Sequence, residues 1–321
     1  MSTWLVTGGA GYIGSHVALC LREHGHDVVV LDDLSTGLRH RAGDAPLVVG
    51  DIADRALVAR TLREHGAEGV VHLAAAKVVE DSVHDPLGYY RRNVASTTEL
   101  LAGMADAGVD RIVYSSSAAV YGDTGDEPVA EDAPTAPANP YGETKLIGEW
   151  LVRDQARAIG LRYVALRYFN VAGTSAPELA ETKAANLIPL VLEAVRRGDA
   201  PLIFGDDYPT PDGTCVRDYV HVADLAAAHV EAVAATAEPG AAETFNVGNG
   251  VGHSVREVVD VAAEVSGVDL TPRFAARRPG DPASVVADTT RITSRTTWRP
   301  RHDLREMVRS AWESGPAAAG R

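Results

Sequence analysis

GGAGYIG, residues 8–14, follows the apolar run WLVT and opens a stretch, IGSHVALCLREHG, with helical periodicity. Its glycines at 8, 11 and 14 repeat in a G-x-x-G-x-x-G spacing. Glycine permits a tight turn and lets backbone N–H groups close on a pyrophosphate, where the helix dipole favours an anion. Such a triplet is weak by itself, because glycine-rich turns are common; its place between strand and helix gives it weight. No Gly-Lys-Ser/Thr follows, which disfavours a P-loop. Further along, DVVVLD, LVVGD, GVVHLAA and RIVYSSS read as strands buried on both faces, alternating with amphipathic stretches. The longest of these is YYRRNVASTTELLAGMADAG. Repeated βα units predict an α/β fold, a Rossmann-type doubly wound parallel sheet with right-handed crossovers.

After LRYVALRYFN, one more strand, the texture changes. Residues 171–186 read as loop, NLIPLVLEAVRRG as a helix and HVADLAAAHVEAVAAT as an alanine-rich helix before the strand TFNVGNG. Residues 1–171 are expected to form the dinucleotide-binding domain. Residues 172–321 would form a smaller C-terminal α/β substrate lobe, with about residues 216–247 free to pack back on the first. The formal charge of −14 argues against nucleic-acid binding, and any anionic substrate would need local arginines. Cys20 and Cys215 lie far apart with no metal-ligand spacing, so no metal is expected. A reduced, cytoplasmic protein is the simplest reading, since no leader or membrane-spanning run is visible.

Asp32, in LDDLS, lies about 20 residues past the glycines, where an acid meets the adenosine ribose 2′-hydroxyl. A 2′-phosphate there would meet like charge, so NAD is expected rather than NADP. Asp51, ending the third strand, suits either an adenine contact or a turn or helix cap.

In ANPYGETK, Asn139 is a good N-cap and Pro140 a good first helical residue. Leu146, Ile147, Trp150, Leu151 and Ala158 would give the helix its buried face. Tyr141 and Lys145 then stand one turn apart on one side. A phenol is a poor base at neutral pH, but neighbouring cations favour the phenolate. That suits Tyr141 to take a hydroxyl proton while hydride leaves the carbon for NAD, with Lys145 also on the nicotinamide ribose. Y-x-x-x-K alone is common. Here RIVYSSS ends about 25 residues earlier, and the C-terminal ends of parallel strands face the ligand crevice. Ser117 is thus a candidate to hydrogen-bond the reacting hydroxyl, while Ser115 and Ser116 read as turn caps.

GGAGYIGSH, SSSAAVYG and YGETK, in this order, resemble the extended short-chain dehydrogenase/reductase family. HLAAAKVVEDSVHDPLGYYRRNV, LRYFN, NLIP, IFGDDYPTPDGTCVRDYVHVADLAAAHV, FNVGNG and RRPGDPASVVAD are similar to the UDP-glucose (UDP-galactose) 4-epimerases within it. The resemblance runs from the first strand to about residue 300. It implies that Gly11, Tyr12 and Ile13 line the pyrophosphate, and that Asp32, Asp33, Leu34, Ser35, Asp51 and Ile52 surround the adenosine. Leu73, Ala74, Lys77 and Asn93 would line the cofactor, with Phe169 near the nicotinamide. Ser117 and Tyr141 would act on the sugar 4-hydroxyl with Lys145 behind them. Asn170, Asn186, Leu187, Phe204, Arg217, Arg278 and Asp281 would hold the UDP. The implied reaction oxidises C4 of a UDP-hexose, turns the 4-keto sugar over and returns hydride to its other face. The family's homodimers imply a helix pair, here within residues 87–107 and 140–159.

Dehydratases of this fold carry an Asp-Glu pair where this chain has Ala118 and Ala119, so dehydration is disfavoured. A UDP-glucuronate decarboxylase or 4-epimerase is a nearer alternative. A non-enzymatic NAD sensor is a third, although such proteins typically lose the Tyr/Lys pair. Ala119 replaces a common threonine, Asp33 a usual asparagine, and the segment 173–185 is shorter than in many members. Val285 stands where the family walls the sugar pocket. A large aromatic there excludes a 2-acetamido group, so valine leads to the expectation that UDP-N-acetylglucosamine and UDP-N-acetylgalactosamine are also interconverted.

Overall fold

The computed structural model describes residues 2–125, 127–182, 186–278 and 281–315. Strands β1 (Thr3–Thr7), β2 (Asp27–Asp32), β3 (Leu47–Val49), β4 (Gly69–His72), β5 (Arg111–Ser115) and β6 (Arg162–Tyr168) lie in one parallel sheet. Its order is β3-β2-β1-β4-β5-β6, and a later strand, Ala242–Val247, extends it beyond β6. Along β1 and β2 successive side chains enter different cores. Trp4, Val6, Val28 and Val30 face one side, Leu5, Val29 and Leu31 the other. Burial on both faces is why these strands read as continuous apolar runs. β3, at the edge, is partly exposed instead.

Helix α1 (Tyr12–Glu23) covers one face, while α2 (Arg55–Glu64), α5 (Ser96–Ala107) and α6 (Pro140–Ile159) cover the other. Between them lie the short α3 (Val79–His84) and α4 (Pro86–Tyr89). The expected long helix before β5 is interrupted: Tyr90–Ala95 form a π-helical turn between α4 and α5. β1 leads to β2 on one side and β3 leads to β4 on the other, so the carboxyl ends of β1 and β4 flank the switch point where ligands bind in such sheets.

The second lobe is built on β7 (Asn170–Ala172), β8 (Leu202–Phe204) and β9 (Val216–His221), with α7 (Leu187–Arg197) beside them. The chain then returns to the first lobe. α8 (Val222–Ala235) packs its small alanines against α1, and β10 (Ala242–Val247) pairs with β6. Back in the second lobe are β11 (Gly252–Ser254), α9 (Val255–Ser266), β12 (Arg273–Ala275) and β13 (Ser284–Val285). β9 is the centre of the smaller sheet, flanked by β11 and β13, and β7 pairs with its end at Tyr219–His221. α10 (Thr290–Arg295) and α11 (Leu304–Glu313) complete the chain, α11 packing with α7 and α9 around Met307, Val191 and Val258. Among the described residues no helix is long and apolar enough to cross a membrane.

Candidate active site

The glycine loop sits at the switch point. Gly8 has φ +69°, and a Cβ there would lie 2.7 Å from the Ala74 backbone nitrogen. At Gly14 a Cβ would meet the Gly8 carbonyl oxygen at 2.1 Å, so helix and turn close on each other only with glycine in place. Gly11 is the N-cap of α1 and makes no side-chain cap. The first-turn N–H groups of Tyr12 and Ile13 are therefore left for an anion. Asp32 is buried and accepts from the N–H of Ala10 and of Leu34, each at 2.9 Å. Burial raises its carboxyl above the ordinary range, against the pull of those two donors. Leu34 is held at φ 59°, a conformation that costs a non-glycine residue roughly 1–2 kcal/mol. Asp33 accepts from Ser35 N at 2.8 Å and from its hydroxyl at 2.6 Å, shaping the turn. Asp51 accepts from Ala53 N at 2.9 Å in a turn of its own, while Ile52 joins the core. Leu73 donates its N–H to Thr7 O at 3.1 Å, and the N–H of Ala74 reaches Thr7 Oγ1 at 3.4 Å. The cradle that only glycine allows, the uncapped helix start and the buried acid fit a dinucleotide.

Lys77 and Asn93 have protein partners. Lys77 Nζ donates to Glu181 Oε1 at 3.1 Å. Asn93, buried on the π-helical turn, accepts from Ala76 N at 2.8 Å and donates to Ala76 O and Thr144 Oγ1, each at 3.0 Å. It thereby ties the crevice wall to the first turn of α6.

That turn starts as its sequence dictates: Asn139 Oδ1 accepts from Gly142 N at 2.9 Å, and Pro140 occupies the first position. Tyr141 and Lys145 are both buried on one side of α6. Tyr141 lies near the side chain of Ser117, which accepts from the N–H of Ala119 at 3.2 Å and caps a 3₁₀ turn, Ala118–Val120, just past β5. Lys145 Nζ donates to Ser115 O at 2.8 Å and sits 5.4 Å from the Tyr114 ring centre. The lowering of the phenol is expected from Lys145 and a nicotinamide cation together; on balance the protein's own groups act in the opposite direction. Burial pushes Tyr141 up to about 12, with the nearby Ser117 side chain opposing it. Burial also draws Lys145 down to about 8.

The helix reading needs a further correction. Leu146 is buried as expected and Leu151 packs on the core, but Trp150 and Ala158 are exposed, and the inward face is otherwise lined by Tyr141, Thr144, Lys145, Gly148, Glu149 and Val152. Polar and small residues fill it, which an apolar-periodicity rule passes over. Ser115 and Ser116 are not turn caps either. Ser115 Oγ meets His229 Nε2 at 3.0 Å; His229 Nδ1 donates to Leu225 O, so the serine is the donor. Ser116 donates to Glu149, whose carboxylate grips Arg167 through two bonds of 2.8 and 2.7 Å. His229, Glu149 and Arg167 went unread in the sequence. A Glu on α6 carries no motif, and its partner lies 18 residues away on another element.

The second lobe supplies the remaining side chains. Arg217, on β9, donates to Asp281 Oδ1 at 2.8 Å, so this pair, expected on phosphate and ribose, is bonded to itself in the free protein. The Arg278 guanidinium lies 4.0 Å from the Phe204 ring centre. Val285 registers opposite Arg217 across β13 and β9. It packs on an apolar cluster that includes Phe169, Val120 and Leu146 of α6. Asn170 starts β7 with an exposed side chain. Asn186 is the N-cap of α7 without a side-chain bond, and Leu187 packs on the α7–α9 core. β7 and a 3₁₀ turn at Pro177–Leu179 interrupt the expected loop 171–186. Residues 183–185, the end of the segment 173–185, lie outside the described residues.

Residues 4–248 match the profile of the NAD dependent epimerase/dehydratase family. The chain is 50% identical over 317 residues to a UDP-glucose 4-epimerase of Azospirillum brasilense, covering 96% of this chain and 91% of that one. It is similar in structure to a UDP-glucose 4-epimerase of Stenotrophomonas maltophila with bound NAD and formylated UDP-arabinopyranose (TM-score 0.93, 41% identity, 98% of each chain). It is equally similar to a UDP-glucose 4-epimerase of Brucella ovis in complex with NAD (TM-score 0.93, 40% identity, 98% of each chain). Glycine cradle, Tyr/Lys helix and extent of similarity agree, and the chain belongs to the NAD dependent epimerase/dehydratase family.

Proposed function

We propose that this enzyme inverts C4 of a UDP-hexose, interconverting UDP-galactose and UDP-glucose. The observation that carries the reading is that Tyr141 and Lys145 are buried one turn apart on α6, with half-buried Ser117 near the phenol, in a chain that also has a dinucleotide cradle and an arginine-bearing lobe. NAD, when bound, supplies the hydride acceptor and donor and a second positive charge beside the phenol. Tyr141 takes the 4-hydroxyl proton and later returns it, and Ser117 orients that hydroxyl. Lys145 keeps its cation next to the phenol. Arg217 and Arg278 hold the diphosphate with charge-assisted hydrogen bonds, so Arg217 exchanges part of its hold on Asp281 for phosphate. Phe204 lies against the uracil, Asp281 accepts from ribose hydroxyls, and Asn170, Asn186 and Leu187 complete the nucleotide site. Anchoring the nucleotide while leaving the hexose free lets the 4-keto sugar present either face. Ala118 and Ala119 offer no acid or base for elimination, which supports epimerisation over dehydration.

Residues 1–171 with 222–247 serve the dinucleotide, and the rest of the chain serves the nucleotide sugar. Exposed Val83, Leu87 and Trp150 sit on α3, α4 and α6, which pack on one another, and this supports a homodimer covering them. Sedimentation equilibrium reads that assembly directly, and a monomer at micromolar concentration would contradict it. Two free thiols, Cys20 and Cys215, fit the reducing cytoplasm.

A coupled assay tests the reaction: the purified chain, no added NAD, UDP-galactose in one arm and UDP-glucuronate in the other. Formation of UDP-glucose is the expected result. Turnover of the uronate alone would replace this reading with decarboxylation or uronate epimerisation. Val285 sets a second expectation, turnover of UDP-N-acetylglucosamine. Val285→Tyr should abolish that activity while keeping UDP-galactose turnover within a few-fold, because the added ring fills the space of the acetamido group. Parent enzyme inert toward the acetamido sugar would refute the assignment.

A further inference from the structure

We propose that residues 173–181 form a strap whose opening limits release of the dinucleotide, with Glu181 and Arg41 as its fastenings. The inference rests on NAD lying at the N-terminus of α1. The segment leaves β7 and crosses the outside of that helix start. The Tyr12 hydroxyl donates to Gly173 O, and Ser175 N donates to His16 Nε2 at 3.2 Å. At the far end Arg41 donates to Ala180 O, and Lys77 Nζ binds Glu181 Oε1 at 3.1 Å. The same Lys77 ammonium stands 5.9 Å from the Tyr12 ring centre. Tyr12 heads the anion-binding turn, so the ion pair spans the mouth of the crevice.

Two features set this apart from an ordinary surface contact. The Glu181 side chain is only 10% exposed, while exposed ion pairs leave both partners in water and contribute little. Arg41, on the 3₁₀ turn Arg39–Ala42, is also buried, and its Nε has no hydrogen-bond partner. A buried, half-satisfied guanidinium is costly unless an acid lies near. Glu181 follows directly on Ala180, whose carbonyl accepts from Arg41, and its negative charge favours the protonated guanidinium. His16 is held neutral by burial, about 4, so its bond to the strap carries no charge and the charged hold falls to Glu181, Arg41 and Lys77. Lifting the strap breaks the Lys77–Glu181 ion pair and the Arg41–Ala180 hydrogen bond together.

The test uses the full chain purified with its dinucleotide. Release is followed by trapping freed NAD with a second dehydrogenase and its alcohol, read by absorbance at the reduced cofactor's band. Glu181→Gln keeps shape and removes charge, and it is expected to speed release at least tenfold. Arg41→Leu should do the same, with thermal melting checking that each variant is folded. Hydrogen exchange at residues 174–181 should slow when NAD is bound. Release from Glu181→Gln within twofold of the parent overturns the strap. A parent that neither carries nor binds NAD overturns the cofactor reading as well.

Discussion

Tyr141→Phe is expected to lower turnover by a factor on the order of 10² to 10⁴, the usual cost of removing a positioned acid–base group. NAD content and thermal stability should stay near those of the parent. The ring packs as before, and the lost hydroxyl leaves Ser117 with the N–H of Ala119, at 3.2 Å, to accept from. The size of the effect follows from the environment. Burial alone would leave the phenol neutral, at about 12, so the resting protein does not hold a phenolate. In the proposed mechanism cations offset that burial, and Lys145, itself drawn down to about 8, is expected to be one of them. Activity within threefold of the parent would remove Tyr141 from its role. Deuterium at C4 gives an independent check: the proposed chemistry keeps it on the sugar, and exchange with solvent would contradict it.

Arg167→Met is expected to destabilise the fold by about 3–5 kcal/mol, since it strands the buried carboxylate of Glu149. Against a typical total of roughly 5–15 kcal/mol that is a large fraction. Both side chains are under 10% exposed. Arg167 also donates from Nη1 to the Tyr121 hydroxyl and to Glu131 O, each at 3.0 Å, and stacks on the Tyr121 ring at 4.9 Å. Burial opposes its charge, yet the Glu149 bonds outweigh this and hold the guanidinium firmly protonated. Glu149 holds Ser116, and Tyr121 anchors the turn after Ser117, so kcat should fall even where the variant is folded. Urea unfolding measures the loss. Glu149→Leu combined with Arg167→Met should recover most of it, because paired removal leaves no uncompensated charge. A double variant as unstable as the single one would show that the damage is loss of packing rather than a stranded charge.

Spacing along the chain was enough for much of this protein. The glycines at 8, 11 and 14, the acid at 32 and the N-capped turn that sets Tyr141 over Lys145 obey rules that act within one or two turns of backbone. The two-sided burial of β1 and β2 is likewise written in unbroken runs of apolar residues. Folding in space decided the rest. The π-helical turn that aims Asn93 exists because that side chain finds Ala76 and Thr144 together. Ser115 and Ser116 became part of a buried polar pillar because β6, α6 and α8 bring Arg167, Glu149 and His229 to them, up to 114 residues away. Residues 173–181 gained meaning only where Arg41 met Ala180 and Lys77 met Glu181, each across more than 100 positions of sequence. Burial raises Tyr141, an effect that any neighbouring cations must offset. Periodicity and motif spacing carry backbone geometry, whereas the state of a charge depends on which distant groups exclude water from it and which replace that water.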